Sequence, residues 1–174
     1  VVAGIAPAVR VIDISHDIAP HNCYRGRLHH RGSVAVLPKR TIHLVVVDPG
    51  VGSARRPILA EAGGQFFVAP DNGVLSMVFD AAPHTVRTIS NPKFMRRDIS
   101  RTFHGRDVFA PAAAHLAKGA QAAAFGKLIH DYIRAGVARP SQSGKDEWRG
   151  AILKVDRFGN LITNFAASEF AGIN

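Results

Sequence analysis

An aspartate and an arginine flank a tight turn in the stretch 45-VVVDPGVGSARR-56. Asp48 ends a run of β-branched residues, and Pro49-Gly50 predicts a turn directly after it. Ligand crevices form at strand ends in open α/β sheets, so Arg55 could fold back towards Asp48 in a polar site. The alternative, a turn-stabilising aspartate beside a solvated arginine, is favoured by spacing alone. The stretch lacks the GxxxxGK[ST] pattern of a phosphate-binding loop.

A second candidate is the stretch 102-TFHGRDVFAPAAAHL-116. His104 precedes a predicted helix, whose positive dipole end would disfavour the imidazolium and keep the ring neutral. Taken alone, His104 is equally compatible with a structural role. Arg106 and Asp107 are expected to pair with each other or to cap the helix. His115 lies inside the Ala-rich helix and is interpreted as a packing or surface residue.

A third candidate is the stretch 156-DRFGNLITN-164, where three side chains alternate around a glycine turn. Asp156, Phe158 and Asn160 offer a carboxylate, an aromatic face and an amide. These groups can hold an amino group, a flat ring and the hydrogen-bonding edge of that ring. An ordinary β-turn explains the same residues.

The sequence Asp71-Asn72-Gly73, within 69-APDNGVLS-76, is a strong turn signal. We expect it to lead into the N-terminus of a helix.

The composition limits the classes of protein that the chain can represent. It has 174 residues, of which 47% are hydrophobic, so a packed core is expected and disorder is not. The formal net charge is +9, but no basic run is longer than two residues, and only three aromatic residues are not Phe. Nucleic-acid binding is therefore not expected.

Cysteine and histidine usage bears on compartment and metal binding. Cys23 is the single cysteine, which excludes an internal disulfide and fits a reducing, cytoplasmic setting. His16 and His21 are loosely spaced, with Pro20 between them, so no metal site is expected. Neither a transmembrane run nor a signal peptide is visible, and no membrane association is expected. The first residue is Val, so we expect a piece of a longer chain.

Short apolar runs alternate with turn signals over most of the chain. The predicted elements are strands at 10–15, 41–48, 57–62, 65–70 and 84–90, helices at 74–82 and 108–120, and a partly helical element at 123–133. Gly63-Gly64 predicts a hairpin. This alternation predicts an α/β domain over residues 1–136, with a central, mostly parallel sheet flanked by helices.

A polar stretch rich in Pro, Gly and Ser predicts a linker at residues 137–147. Residues 151–165 then predict two strands around a Phe-Gly-Asn turn. We expect residues 148–174 to be the truncated beginning of a β-rich, barrel-like domain, too short to fold alone.

The segment 27-RLHHRGSVAVL-37 lies where a helix should connect two strands, yet it has no helical apolar stripe. Codons for this string, read one nucleotide later, can encode AFIIAAASPYF, a plausible buried helix. We hypothesise a compensated frameshift in the source DNA. Resequencing the gene decides the question, and an unchanged reading frame would end the hypothesis.

Taken together, the motifs resemble the S-adenosylmethionine hydroxide adenosyltransferases, relatives of the fluorinating and chlorinating enzymes that use the same substrate. The resemblance rests on five stretches in order: VIDISHDIAP, TIHLVVVDPGVGSARR, APDNGVLS, TFHGRDVFAPAAAHLAKG and VDRFGNLITN. It covers nearly the whole chain apart from residues 27–37 and the linker. It implies hydrolysis of S-adenosylmethionine to adenosine and methionine by attack of water at the ribose C5′ carbon.

The resemblance also implies roles for individual residues. The catalytic set would be Asp48, Arg55 and His104, with Asp48 orienting or deprotonating water, Arg55 holding that carboxylate and His104 completing the water site. The implied substrate contacts are Asn160 on the adenine edge, Phe158 against the ring, Asp156 on the methionine ammonium, and Phe103 and Thr102 beside C5′. No cofactor is implied, because S-adenosylmethionine is the substrate.

Family members also have segments that this chain lacks. They begin with a strand and an Asp-containing loop that grips the ribose, and their second domain continues further. The family implies a homotrimer with sites at subunit interfaces, so we expect this chain to lack part of its site.

Three other functions are compatible with the sequence. A halide-dependent adenosyltransferase is disfavoured by Asp48 and His104, because those relatives carry Tyr at both positions, and a carboxylate would repel halide. Gly105 stands where the fluorinating enzyme has serine, but the chlorinating relative also has glycine there. The second alternative is a non-catalytic module that binds adenosine or S-adenosylmethionine, and the third is a basic nucleic-acid binder.

Overall fold

The computed structural model of the chain describes residues 1–16, 37–136, 140–156 and 158–165. It divides into two compact units, Val1–Ala135 and Gly136–Asn174. Most of the anomalous segment 27–37, together with His21 and Cys23, lies outside the described residues. The frameshift hypothesis therefore stays a prediction.

The first unit contains a five-stranded sheet and three α-helices within its described residues. The strands are β1 (Ile42–Leu44), β2 (Pro57–Ala62), β3 (Gln65–Pro70), β4 (His84–Thr88) and β5 (Leu128–Ile129), and the helices are α1 (Val2–Ile5), α2 (Ser76–Ala81) and α3 (Ala110–Ala117). Short 3₁₀ turns cover Pro92–Phe94 and Ala122–Ala124, and a π-helical turn, Gly105–Phe109, leads directly into α3.

The sheet is mixed, and its strand order is β1-β3-β2-β4-β5. Only β1 and β3 pair in parallel, whereas the other three pairings are antiparallel. The prediction of a mostly parallel sheet is therefore wrong for the described strands. The reason is local, because the tight turn at Gly63-Gly64 can join only antiparallel neighbours. The hairpin itself is confirmed, with Ala62 opposite Gln65.

Helices cover both faces of this sheet, which explains the continuous apolar runs in its strands. Alternate residues of β2 and β3 enter two separate core clusters. One cluster includes Ile58 and Phe67 with side chains of α2, and the other includes Leu59 and Val68 with side chains of α3. The α/β class is thus confirmed, with the sheet between two apolar layers.

Several predicted elements are shorter than expected. Residues 10–15 form no strand. The predicted strand 41–48 pairs as a β-strand only over Ile42–Leu44. One more hydrogen bond, from Val45 N to Val68 O at 2.9 Å, extends this pairing. The chain then leaves the sheet, which gives Asp48 a position beyond a strand end. The predicted helices at 74–82 and 108–120 are confirmed in type, with α2 and α3 as their regular parts.

The second unit contains two small sheets in its described part. Strands β6 (Ser141–Gln142) and β7 (Trp148–Arg149) pair antiparallel, as do β8 (Ile152–Val155) and β9 (Leu161–Thr163). The two predicted strands around the Phe-Gly-Asn turn are therefore confirmed. Strand β6 lies within the predicted linker, whose composition did not indicate a strand, and pairs with β7, which follows the linker. The barrel stays a prediction.

Two kinds of feature are absent from the described residues. None of the helices there has the length and hydropathy that crossing a membrane requires. Within the same residues, no group of three or more His, Cys, Asp or Glu side chains is arranged to hold a metal ion.

Candidate active site

Asp48 and Arg55 form a two-point ion pair across the turn that joins them. Arg55 Nε donates to Asp48 Oδ1 at 3.0 Å, and Arg55 Nη2 donates to Asp48 Oδ2. The two side chains are only 7% and 6% exposed, so this arginine is not solvated. The alternative of a turn aspartate beside a solvated arginine is wrong on this point. A bidentate contact fixes the plane of the carboxylate as well as its position.

His104 joins the same guanidinium from a distant part of the chain. Its Nδ1 atom lies 2.6 Å from Arg55 Nη2. Arginine can only donate, so Nδ1 accepts and the ring proton lies on Nε2. The next residue, Gly105, packs closely against the strand end, since a Cβ there would lie 3.2 Å from Cγ1 of Val46. The structure therefore brings the three predicted catalytic residues together.

The loop between Asp48 and Arg55 is held by its own hydrogen bonds. Ser53 Oγ donates to Gly50 O at 2.7 Å and accepts from Arg55 N at 3.3 Å. Gly52 has φ of +80°, and a Cβ on it would lie 2.7 Å from the carbonyl oxygen of Arg101. This loop thus packs directly against the segment that leads to His104.

Asn72 supports the same strand end, a role that the sequence did not reveal. Its Nδ2 donates to Val47 O at 2.8 Å, and its Oδ1 accepts from Val74 N at 3.1 Å. The predicted turn and helix entry at residues 71–73 are confirmed, but the amide also fixes the residue before Asp48. The Asn-Gly pair signalled the turn, whereas the long-range contact has no local signal.

Arg56 and Asp71 form a separate cluster that holds the end of the first unit. Asp71 is buried, accepts from Arg56 Nη2 at 2.7 Å and accepts from Ile133 N at 2.7 Å. Arg56 also pairs with the exposed Asp131, and hydrogen bonds to Asp131 and Asp71 raise the pKa of Arg56. Adjacent arginines therefore have different tasks, since Arg55 holds the candidate catalytic carboxylate and Arg56 ties down residues 131–133.

The segment before His104 is organised by a buried carboxylate. Asp107 is fully buried and accepts from Arg106 Nε at 2.6 Å and from Ser100 N at 2.9 Å. The Arg106 hydrogen bond is the main reason why the pKa of Asp107 is lowered to about 2. The predicted pairing of Arg106 with Asp107 is confirmed. Thr102 and Phe103 lie in this segment and are exposed, Phe103 to 60%.

The three candidate residues in the second unit share one turn. Asp156 Oδ1 accepts from Phe158 N at 2.8 Å and Asn160 N at 2.9 Å, while Oδ2 accepts from Asn160 Nδ2 at 2.8 Å. The Phe158 ring is 76% exposed. Asp156 therefore orients the Asn160 amide, a link that the sequence did not predict, and the ring is accessible for stacking.

A family model supplies the deciding comparison. The model described as SAM hydroxide adenosyltransferase N-terminal domain matches residues 1–126. The chain belongs to the SAM hydroxide adenosyltransferase family. The resemblance read from the five motifs is thereby confirmed.

Individual members and relatives of this family differ in their similarity to the chain. A protein named (R)-S-adenosyl-L-methionine hydrolase from Salinispora arenicola is 41% identical over 167 residues, which are 92% of this chain and 62% of that protein. A protein named fluorinase from Actinoplanes sp. is 25% identical over 198 residues, covering 97% of this chain and 66% of that protein. The chain thus spans about two thirds of the length of these relatives.

A solved structure of an uncharacterized conserved protein from Thermotoga maritima superposes with a TM-score of 0.92 at 35% identity. The superposition covers 99% of this chain and 66% of the Thermotoga protein. The chain therefore shares its fold with the Thermotoga protein.

Proposed function

We propose that the protein hydrolyses S-adenosyl-L-methionine to adenosine and L-methionine. The observation that carries this proposal is the cluster of Asp48, Arg55 and His104, which places a nearly buried carboxylate and an imidazole on one guanidinium. Hydrolysis at C5′ needs a positioned water molecule and no acid for the leaving group, because the sulfonium departs as a neutral thioether. The cluster has the groups that such a water requires.

Each group in the cluster has a distinct task in this reaction. Asp48 accepts a proton of the water molecule through a lone pair that Arg55 does not use, and so orients or deprotonates it. His104 presents its Nε2 proton as a donor. The water oxygen attacks C5′ while the C5′–S bond breaks, its electron pair stays on sulfur, and the water proton leaves through Asp48. Alignment can supply roughly 7–11 kcal/mol in ideal cases, and a general base about 10²–10⁴-fold.

A halide-dependent adenosyltransferase is the alternative from the same family of reactions. The negative charge of Asp48 would repel a halide at the position of the nucleophile, whereas water can donate to it. The 41% identity to a protein named as a hydrolase, against 25% to a fluorinase, supports the same choice.

The remaining substrate contacts are assigned by their chemistry. Thr102 and Phe103, beside His104, would line the pocket at C5′. In the second unit, Phe158 would stack on adenine, Asn160 would read the adenine edge, and Asp156 would bind the methionine ammonium by its carboxylate charge. We further propose a cytoplasmic homotrimer with sites at subunit interfaces, acting without a cofactor.

Product analysis tests the proposal. The full-length gene product is incubated with S-adenosylmethionine, with and without chloride, and the products are separated by chromatography. Adenosine formed independently of chloride, and lost in Asp48→Ala, is the expected result. A 5′-chloro-5′-deoxyadenosine product would favour the halide alternative. Tight binding without turnover would favour a non-catalytic binding module and overturn the role given to Asp48.

A further inference from the structure

The guanidinium of Arg106 lies over one face of the Phe103 ring. The guanidinium carbon of Arg106 lies 5.2 Å from the ring centroid, within the range of a cation–π contact. The ring is 60% exposed, so much of its remaining surface is accessible to a ligand. A positively charged ligand attracted to this ring would also be repelled by the guanidinium of Arg106.

Asp107 compensates that guanidinium. Arg106 donates to both carboxylate oxygens of Asp107, at 2.6 Å from Nε and 3.0 Å from Nη2. A second arginine, Arg96, places its Nε 3.7 Å from Oδ1 of the same carboxylate. Asp107 is fully buried, whereas the two arginine side chains paired with it are about half exposed. Without Asp107, the positive charge of Arg106 beside Phe103 would be uncompensated.

We propose that Asp107 neutralises the charge of Arg106 beside Phe103 and thereby lets the ring prefer the positively charged sulfur of the substrate's sulfonium to a neutral thioether. This inference rests on the proposed function, because it takes S-adenosylmethionine as the ligand and Phe103 as a pocket residue. Arg106 lies against one face of the ring, and Asp107 offsets the repulsion that Arg106 would exert on the ligand. Arg106 and Asp107 are thus positioning residues, while the ring makes the contact.

The alternative is that the pair only braces the loop. Asp107 also accepts from Ser100 N at 2.9 Å, which ties residues 100 and 107 together whatever the ligand. A brace would affect charged and neutral ligands equally. Electrostatic compensation affects only the charged ligand, so the ratio of two affinities separates the two explanations.

Sinefungin and S-adenosylhomocysteine are suitable probes. Sinefungin carries a charged amine where the substrate has its sulfonium and cannot be cleaved there, and S-adenosylhomocysteine is a neutral thioether. Both Kd values are measured by calorimetry on the full-length gene product, for the wild type and for Asp107→Asn, Arg106→Gln/Asp107→Asn, Phe103→Leu and Arg97→Gln. Arg97 is an exposed arginine of the same loop and serves as the matched charge control.

The proposal predicts that Asp107→Asn lowers the preference for sinefungin about tenfold, the order expected for an uncompensated charge near the ligand. The double variant, in which both charges are gone, regains most of the preference. Phe103→Leu loses it, and Arg97→Gln keeps it. An equal loss of both affinities in Asp107→Asn, or a double variant no better than the single one, would overturn the inference.

Two further outcomes remain decisive. If Asp107→Asn does not fold, Phe103→Leu still tests the idea, since an unchanged preference there contradicts it without disturbing the buried carboxylate. If the wild type binds neither probe and releases no adenosine from S-adenosylmethionine, the proposed function itself fails. Binding of both probes with ratios that no variant changes leaves the function intact and rejects the inference.

Discussion

Arg55 Nη2 lies 2.6 Å from Nδ1 of His104, although the two residues are 49 positions apart in the chain. The same guanidinium binds Asp48 at two points, so one side chain connects two motifs. Lysine has a single ammonium and cannot reproduce this fork. Arg55→Lys is therefore expected to lower kcat about 10²-fold or more, because both the carboxylate and the imidazole lose their alignment.

The measurement is the steady-state rate of adenosine formation by the full-length gene product. Arg56→Lys is the control, since Arg56 pairs with Asp71 and Asp131 instead. It should lower thermal stability with little effect on kcat. Equal kcat values in the two variants would contradict the role given to Arg55.

The charge of Asp48 can be tested separately from its size. Asp48→Asn keeps the shape but cannot take a proton from water, so kcat should fall about 10²–10⁴-fold. Arg55 would also lose its ionic partner while buried, which should cost about 3–5 kcal/mol of unfolding free energy. Asp131→Asn also removes a carboxylate from an arginine, but that carboxylate is 76% exposed, and little change is expected. Chemical denaturation and initial rates measure both effects. An Asp48→Asn enzyme with wild-type kcat would show that the carboxylate does not act on the nucleophile.

Gly52 and Gly119 provide a matched pair for testing the contact between the loop of residues 48–55 and the segment before His104. Both have positive φ, +80° and +98°, so alanine is strained at either position by about 1–2 kcal/mol. Only at Gly52 would the new Cβ meet backbone, 2.7 Å from Arg101 O, because nothing lies within 4 Å at Gly119. Gly52→Ala should therefore lower kcat as well as stability by displacing the segment before His104. Gly119→Ala should lower stability alone, and comparable kcat losses in both variants would contradict this explanation.

The sequence predicted those parts of the fold and site that depend on local chemistry. The hairpin at Gly63-Gly64 and the three-residue set Asp48, Arg55 and His104 were both identifiable, the first from turn propensity and the second from family motifs. The set required the family resemblance, since spacing alone favoured an ordinary turn at Asp48. The proximity of Arg55 and His104, which are 49 positions apart, is a result of tertiary packing, to which no local pattern points.

The parts that the sequence did not predict depend on long-range pairing. Apolar strands buried on both faces suggested a mostly parallel sheet, but strand direction follows from connections rather than from hydrophobicity. Asn72 and Asp107 were interpreted as a turn residue and a pairing or capping residue. Their contacts with Val47 and Ser100 join segments whose proximity no periodicity encodes.

His43 should make stability depend on pH. It is 4% exposed, hydrogen-bonded to Gln65 Oε1 at 2.8 Å and stacked on Phe67 at 4.5 Å between centroids. Burial lowers the pKa of His43, and the Gln65 hydrogen bond only partly opposes this. Below about pH 6.5 the unfolded chain therefore binds a proton that the folded protein does not. The contribution of His43 is fully present above that pH and is lost as the pH falls, at up to about 1.4 kcal/mol per pH unit.

The variant His43→Asn removes this titration and should flatten the unfolding free energy between pH 7.5 and pH 5.5, although it lowers stability at every pH. His130→Asn is the control, because His130 is exposed and its removal should leave the slope unchanged. Urea denaturation followed by circular dichroism at several pH values measures both slopes. If His43→Asn retained the wild-type slope, the acid sensitivity in this range would come from another group, and the role given to His43 would be wrong. Asp107 cannot supply it, because its pKa of about 2 confines its effect to lower pH.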